Sequence, residues 1–173
     1  MDPTTRPAPA SKGTTGTMLA RLQRLVDDLA ALHSQLILLV GPPGSGKTAL
    51  LRAFGGHAGA EPLNLGAELG RRLTAVPHRE RQLQVGSLLR EIAKPHACGN
   101  LLLIDNIELL FDASLALNPL DLLKRQAQAW RVVAVWPAAL RHSGNGPRLT
   151  YAEMGHTEYR DYGLDGVVTL DIK

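Results

Sequence analysis

LILLVGPPGSGKTALLR, residues 36–52, changes character twice. Its first five residues are apolar at every position, as in a strand buried on both faces of a parallel sheet. Glycines and prolines follow, and after Lys47 the leucines resume at helical spacing. The turn Gly41-Pro42-Pro43-Gly44-Ser45-Gly46-Lys47-Thr48 fits the phosphate-loop pattern G-x-x-x-x-G-K-[ST] between a predicted strand and a predicted helix. Glycines let successive N–H groups point into the turn, and the helix that starts at Thr48 adds its partial positive charge. The expected ligand is therefore a nucleotide held by Gly41 to Thr48 and Ala49. Lys47 would reach the β- and γ-phosphates, and the Thr48 hydroxyl would ligate Mg²⁺. The plainer alternative is a glycine-rich turn that binds nothing.

A nucleotide hydrolase also needs an acid at the end of a neighbouring buried strand to hold the metal through water. LLLIDNIELL, residues 101–110, supplies Asp105, whose plainer role would be to cap the next helix. Many additional-strand P-loop ATPases carry glutamate directly after this acid to orient the attacking water. Here Asn106 takes that place, and Glu108 stands two residues further on. An amide holds water but cannot take its proton. Glu108 has three readings: a carboxylate that swings in, the partner of an arginine, or an ordinary surface residue. The fourth strand ends in Trp136-Pro137, without a polar sensor. Slow hydrolysis is the expectation, with Lys47, Asp105, Asn106 and Glu108 as catalytic candidates and Thr48 and Asp105 as metal ligands.

Further out, VVAVW (132–136) and GVVTLDI (166–172) repeat the buried-strand pattern, and EPLNL (61–65) is a shorter candidate. Helical periodicity marks residues 17–33, the segment after the glycine turn, HRERQLQVGSLLREIAK (78–94) and PLDLLKRQAQAW (119–130). Alternating strands and helices predict an α/β three-layer sandwich of the P-loop NTPase type around a mainly parallel five-stranded sheet. Residues 1–16, with three prolines and five serines or threonines, read as a disordered arm, and residues 17–173 as one domain. The turn-rich stretch 141–165 reads as a long surface excursion.

Composition narrows the setting. A formal charge of +3 without a dense basic block does not by itself argue for nucleic acid. Arg71, Arg72, Arg79, Arg81 and Arg90 alternate with Glu68, Glu80 and Glu91, which reads as a solvated helix face, with direct DNA or partner contact as the sharper alternative. One cysteine, Cys98, excludes an internal disulfide, and neither a membrane span nor a signal peptide is recognisable, so a reducing cytoplasm is expected. His96 and Cys98 lack companions at zinc spacing. The guanine-reading N-K-x-D is absent, its nearest string being Asn118-Pro119-Leu120-Asp121, which favours adenine and hence ATP.

The segments GPPGSGKTALLR, LNLGAELGRRL, LLLIDNIELLFD, VVAVWPA and above all RLTYAEMGHTEYRDY (148–162) resemble the BrxF family, small P-loop proteins of type 3 bacteriophage exclusion (BREX) systems. The likeness spans roughly residues 17–172. It implies an AAA-like core without the C-terminal helical lid, since the last strand ends near Lys173. ATP and Mg²⁺ are the cofactors expected from the residues above, and the likeness implies as partners a large BREX ATPase, a PglZ-like protein and an adenine methyltransferase. A lidless site is expected to close by homo-oligomer formation on ATP binding, with Arg141, Arg148 or Arg160 reaching a neighbour's γ-phosphate. Two functions stay open: a weak or partner-stimulated ATPase switch, and a non-hydrolysing ATP-binding assembly module. A small-molecule kinase is disfavoured for want of an arginine-rich lid.

Overall fold

The computed structural model describes residues 12–32, 35–152 and 160–173. The chain runs α1 (Lys12–Asp28), β1 (Leu36–Val40), α2 (Lys47–Ala58), β2 (Leu63–Asn64), α3 (Leu65–Leu73), α4 (Arg81–His96), β3 (Leu101–Asp105), α5 (Pro119–Gln126), β4 (Arg131–Val135), β5 (Leu140–Ser143), β6 (Gly146–Tyr151), β7 (Arg160–Tyr162) and β8 (Val168–Asp171). One-turn 3₁₀ segments include Glu108–Phe111, between β3 and α5.

Five strands form a parallel sheet in the order β2-β3-β4-β1-β8. β1 and β3 are buried at every position, as their unbroken apolar sequences require. Alternate side chains feed two cores. Leu36, Leu38 and Val40 pack with Leu102, Ile104, Val132 and Ala134 against α3, α4 and α5. Ile37 and Leu39 pack with Leu101, Leu103 and Val133 against α1 and α2. Helices on both faces of one sheet make the expected three-layer α/β sandwich.

The apolar stripe of α1 is satisfied within the chain. Leu22, Val26 and Leu29 are buried in the same core as Leu51 and Phe54 of α2, each burial contributing roughly 1.5–3 kcal/mol. The helix begins at Lys12, inside the segment read as an arm, and runs straight through residue 17, where its periodicity placed the start. Residues 1–11 of that arm lie outside the described residues.

Two departures follow from signals that local pattern hides. LNLGAELGRRL forms α3 despite two glycines, because Asn64 caps it, its side chain accepting from Ala67 N at 3.1 Å, and Leu65, Leu69 and Leu73 bury one face. The stretch read as a surface excursion contains a second, antiparallel sheet, β5-β6-β7. Its first turn closes at Gly146, which has φ +99°, a conformation that favours glycine. Leu149 and Thr150 of β6 are buried, so the sheet is docked rather than free. Residues 153–159, in the middle of the segment that carries the phage-exclusion likeness, lie outside the described residues.

Candidate functional site

The sheet brings the C-terminal ends of β1 and β3 to one edge, separated by β4, the edge at which open α/β sheets bind their ligands. From β1 the chain enters the glycine loop. Gly44 and Gly46 hold φ of +77° and +96°, values that favour glycine. Gly41 is packed so closely that an added Cβ would meet the Ile172 carbonyl oxygen and, at 2.7 Å, Ser45 Oγ. Its N–H donates to the Ala138 carbonyl at 3.0 Å, tying the loop to the segment after β4.

Helix α2 starts at Lys47 with Gly46 as N-cap, which has no side chain to offer the first-turn N–H groups. Those donors are oriented and available to an anion. Lys47 is only 8% exposed, and its ammonium donates to the Gly41 carbonyl. Burial pulls its pKa below the ordinary lysine value, while the charges of Glu108 and then Asp105 push back. Ser45 Oγ, inside the loop, is a buried hydroxyl with no partner among the described residues. Thr48 is half-buried, and Pro42, Pro43, Gly44 and Ala49 face solvent.

Asp105 closes β3, 7% exposed, opposite Asn64 in the β2 register. One carboxylate oxygen accepts from Asn106 N at 2.8 Å. Asn106 then adopts φ +55°, tolerable for asparagine and uncommon otherwise. Its carbonyl accepts from Gly66 N at 2.9 Å, so α3 braces the turn. After this reversal Ile107 and Leu110 are buried and Glu108 is exposed at the start of its 3₁₀ turn. The structure thus brings Lys47, Asp105 and Glu108 into electrostatic contact around the glycine loop.

Clefts lie on both sides of α2. One, of about 600 Å³, is lined by Arg52, Glu61, Asn64, Asp105, Asn106 and the glycines of α2. The other, of about 640 Å³, lies between the loop residues Ser45 and Gly46, the α1 residues Met18 and Arg21, and the chain end at Asp171 to Lys173. Two carboxylates, a guanidinium and two amides line the first, while the second offers apolar area beside a cation. The second cleft borders the glycine loop directly, while the first reaches the site through Asp105 and Asn106.

The remaining candidates sit elsewhere. Trp136, where a polar sensor would stand, is fully buried and turned away, its Nε1 donating to the Thr150 carbonyl at 2.8 Å. Arg141, Arg148 and Arg160 lie on β5, β6 and β7. Arg148 Nε donates to Asp161 at 2.9 Å, and this pairing, with help from Arg141, holds the Asp161 carboxyl below its usual value. On α3 and α4, Arg71 pairs with Glu68 and Arg72 with Glu91. No cluster of three or more metal-type ligands occurs among the described residues. Sequence reasoning missed Asn64 and Arg52, which line the cleft beside Asp105. Only Asn64 carried a usable signal, an N-cap residue directly before a helical pattern.

A family model described as "ATPase family associated with various cellular activities (AAA)" matches residues 37–129, a span holding both the glycine loop and Asp105. No curated protein matches the chain. Among solved structures it is similar to C. elegans PCH-2, with 16% identity and a TM-score of 0.42 over 92% of this chain and 40% of that one. It is also similar to Drosophila ORC bound to DNA, with 20% identity and a TM-score of 0.40 over 91% of this chain and 46% of that one. The chain spans less than half the length of either structure.

Proposed function

From the premise that this chain belongs to the AAA family of ATPases, whose model covers more than half of it, we propose that it binds ATP with Mg²⁺ and acts as a slow or partner-stimulated ATPase switch. One observation carries the reading. Lys47 is buried in a loop of left-handed glycines, with its ammonium on a backbone carbonyl and two carboxylates close enough to support its charge. Among the described residues the ammonium's hydrogen bond goes to a carbonyl, which leaves a buried charge costly, and a phosphate would satisfy it. The unpartnered Ser45 hydroxyl and the open first turn of α2 fit the same ligand.

In this account the loop N–H groups and Lys47 would hold the β- and γ-phosphates, Thr48 Oγ would ligate the metal, and Asp105 would hold it through water. The metal, when bound, neutralises phosphate charge as it develops in the transition state. Asn106 would orient water through its amide, and Glu108 would accept its proton as the water oxygen bonds to the γ-phosphorus and the bridging bond to the departing ADP breaks. The base lies in the cleft beside Met18 and Arg21.

A second reading, in which ATP is bound and never hydrolysed, is favoured by Asn106 standing where many relatives of this architecture place glutamate. Phosphate release at saturating ATP separates the two, with wild type compared against Glu108→Gln. The switch reading expects slow release in wild type and a loss of about tenfold or more in the variant. Bound ATP with no release from either protein would favour the assembly module. The cellular setting we attach to this reading is bacteriophage exclusion, in complex with a large ATPase, a PglZ-like protein and a methyltransferase. The likeness of residues 148–162 supports it, and co-purification of those partners with the tagged protein tests it.

A further inference from the structure

Glu108 and Phe111 open and close a single 3₁₀ turn, in which residues three apart lie one above the other. Whatever holds the Phe111 ring therefore fixes the backbone turn from which Glu108 projects. That ring is held from three sides. It stacks on Tyr151 of β6 with centroids 4.0 Å apart and planes 15° from parallel. It meets Trp136 edge-on at 5.2 Å and Tyr162 of β7 at 6.3 Å. Trp136 and Tyr162 pack edge-on at 5.5 Å, and the Trp136 indole also donates to the Thr150 carbonyl. Four of the chain's seven aromatic residues thus meet at one point.

The cluster joins three parts of the molecule: the turn bearing Glu108, the end of β4 beside the glycine loop, and the β5-β6-β7 sheet. Trp136 N donates to Leu39 O at 2.9 Å, so the β4 end is fastened to β1 just before the loop. Opposite them the sheet contributes two rings, Tyr151 and Tyr162. Aromatic pairs of these geometries attract modestly beyond what their buried area contributes. That is enough to fix one orientation of a short turn and small enough for a bound ligand to shift it.

Resting on the hydrolase reading above, we propose that Phe111 and Tyr151 are positioning residues for Glu108, and that the aromatic cluster couples the small antiparallel sheet to the nucleotide site. The sheet is then a handle. A partner that displaces β6 moves Glu108 without touching the phosphates, and nucleotide bound at Lys47 is felt at Tyr151. The coupling runs through one identified two-ended element, the 3₁₀ turn.

Two measurements on the full chain test this. First, in a Trp130→Phe background Trp136 is the sole tryptophan, and ATP·Mg²⁺ is titrated while binding heat and Trp136 emission are recorded separately. Emission is expected to change with the same midpoint as the heat, and Glu108→Gln is expected to keep the heat and lose the emission change. Heat with constant emission in the Trp130→Phe protein overturns the coupling and leaves nucleotide binding standing. No heat at all overturns the nucleotide reading itself. Second, Tyr151→Ala is expected to lower kcat by about tenfold or more with nucleotide affinity within about twofold of wild type, and Tyr151→Phe is expected to restore it. An unchanged kcat in a folded Tyr151→Ala protein, or equal losses in kcat and affinity, contradicts a positioning role. Should Tyr151→Ala fail to fold, the emission titration decides alone.

Discussion

The Lys47 ammonium donates to the carbonyl of Gly41, the first residue of the loop that ends at Lys47 itself. The contact holds the side chain folded back over the loop at the cost of desolvating its charge, and the lowered pKa of Lys47 expresses that cost. An unfolded lysine keeps a value near 10.5. As pH rises, the folded group therefore loses its proton first, and in that window the unfolded chain binds more protons, so stability rises with pH. Lys47→Met removes the buried charge. Without nucleotide it is expected to melt above wild type at neutral pH, with the difference closing as pH approaches the ordinary lysine value. Thermal unfolding of both proteins across that range checks this, and a pH-independent difference would contradict it.

Asp105→Ala is expected to keep the fold, because among the described residues the carboxylate's hydrogen bond goes to the adjacent Asn106 N–H, a loss of about 1 kcal/mol. Its effect should fall on the metal. Nucleotide affinity measured with and without Mg²⁺ should differ far less in the variant than in wild type. Equal magnesium dependence in the two would remove Asp105 from the metal site.

Gly66→Ala separates stability from catalysis. The new methyl would lie 3.0 Å from the Asn106 carbonyl oxygen, closer than ordinary contact, so the Asn106 turn must shift by a few tenths of an ångström. Against that, alanine in a helix gains roughly 0.5–1 kcal/mol over glycine. The melting temperature should hold or rise while ATP turnover falls and nucleotide affinity stays. Turnover that tracks wild type would mean that the position of Asn106 is not critical.

What could be read from the sequence divides by range. LILLV and LLLID are buried on both faces, so each is apolar throughout, and a five-residue window reveals it. The glycine loop is equally local, because its backbone angles demand particular residues at fixed spacing. The antiparallel sheet was hidden because β6 alternates weakly, Leu149 and Thr150 both being buried, and because β7 is only three residues long. Helix α3 was hidden by Gly66 and Gly70, whose helix penalty is outweighed by the burial of Leu65 and Leu69. The aromatic cluster unites positions 111, 136, 151 and 162, which no local pattern connects. The placement of Glu108 depends on the left-handed Asn106 and the brace from Gly66, so the sequence could offer it only as one of three readings.

The central claim is that the glycine loop is a nucleotide site organised around Lys47. Calorimetric titration of the purified chain with ATP·Mg²⁺, beside the same titration of Lys47→Ala, tests it most directly. The account predicts one site per chain in wild type, accompanied by a rise in melting temperature, and loss of most of both in Lys47→Ala while the variant stays folded. The absence of binding heat in wild type, or equal heat and equal thermal shift in the two proteins, would contradict it.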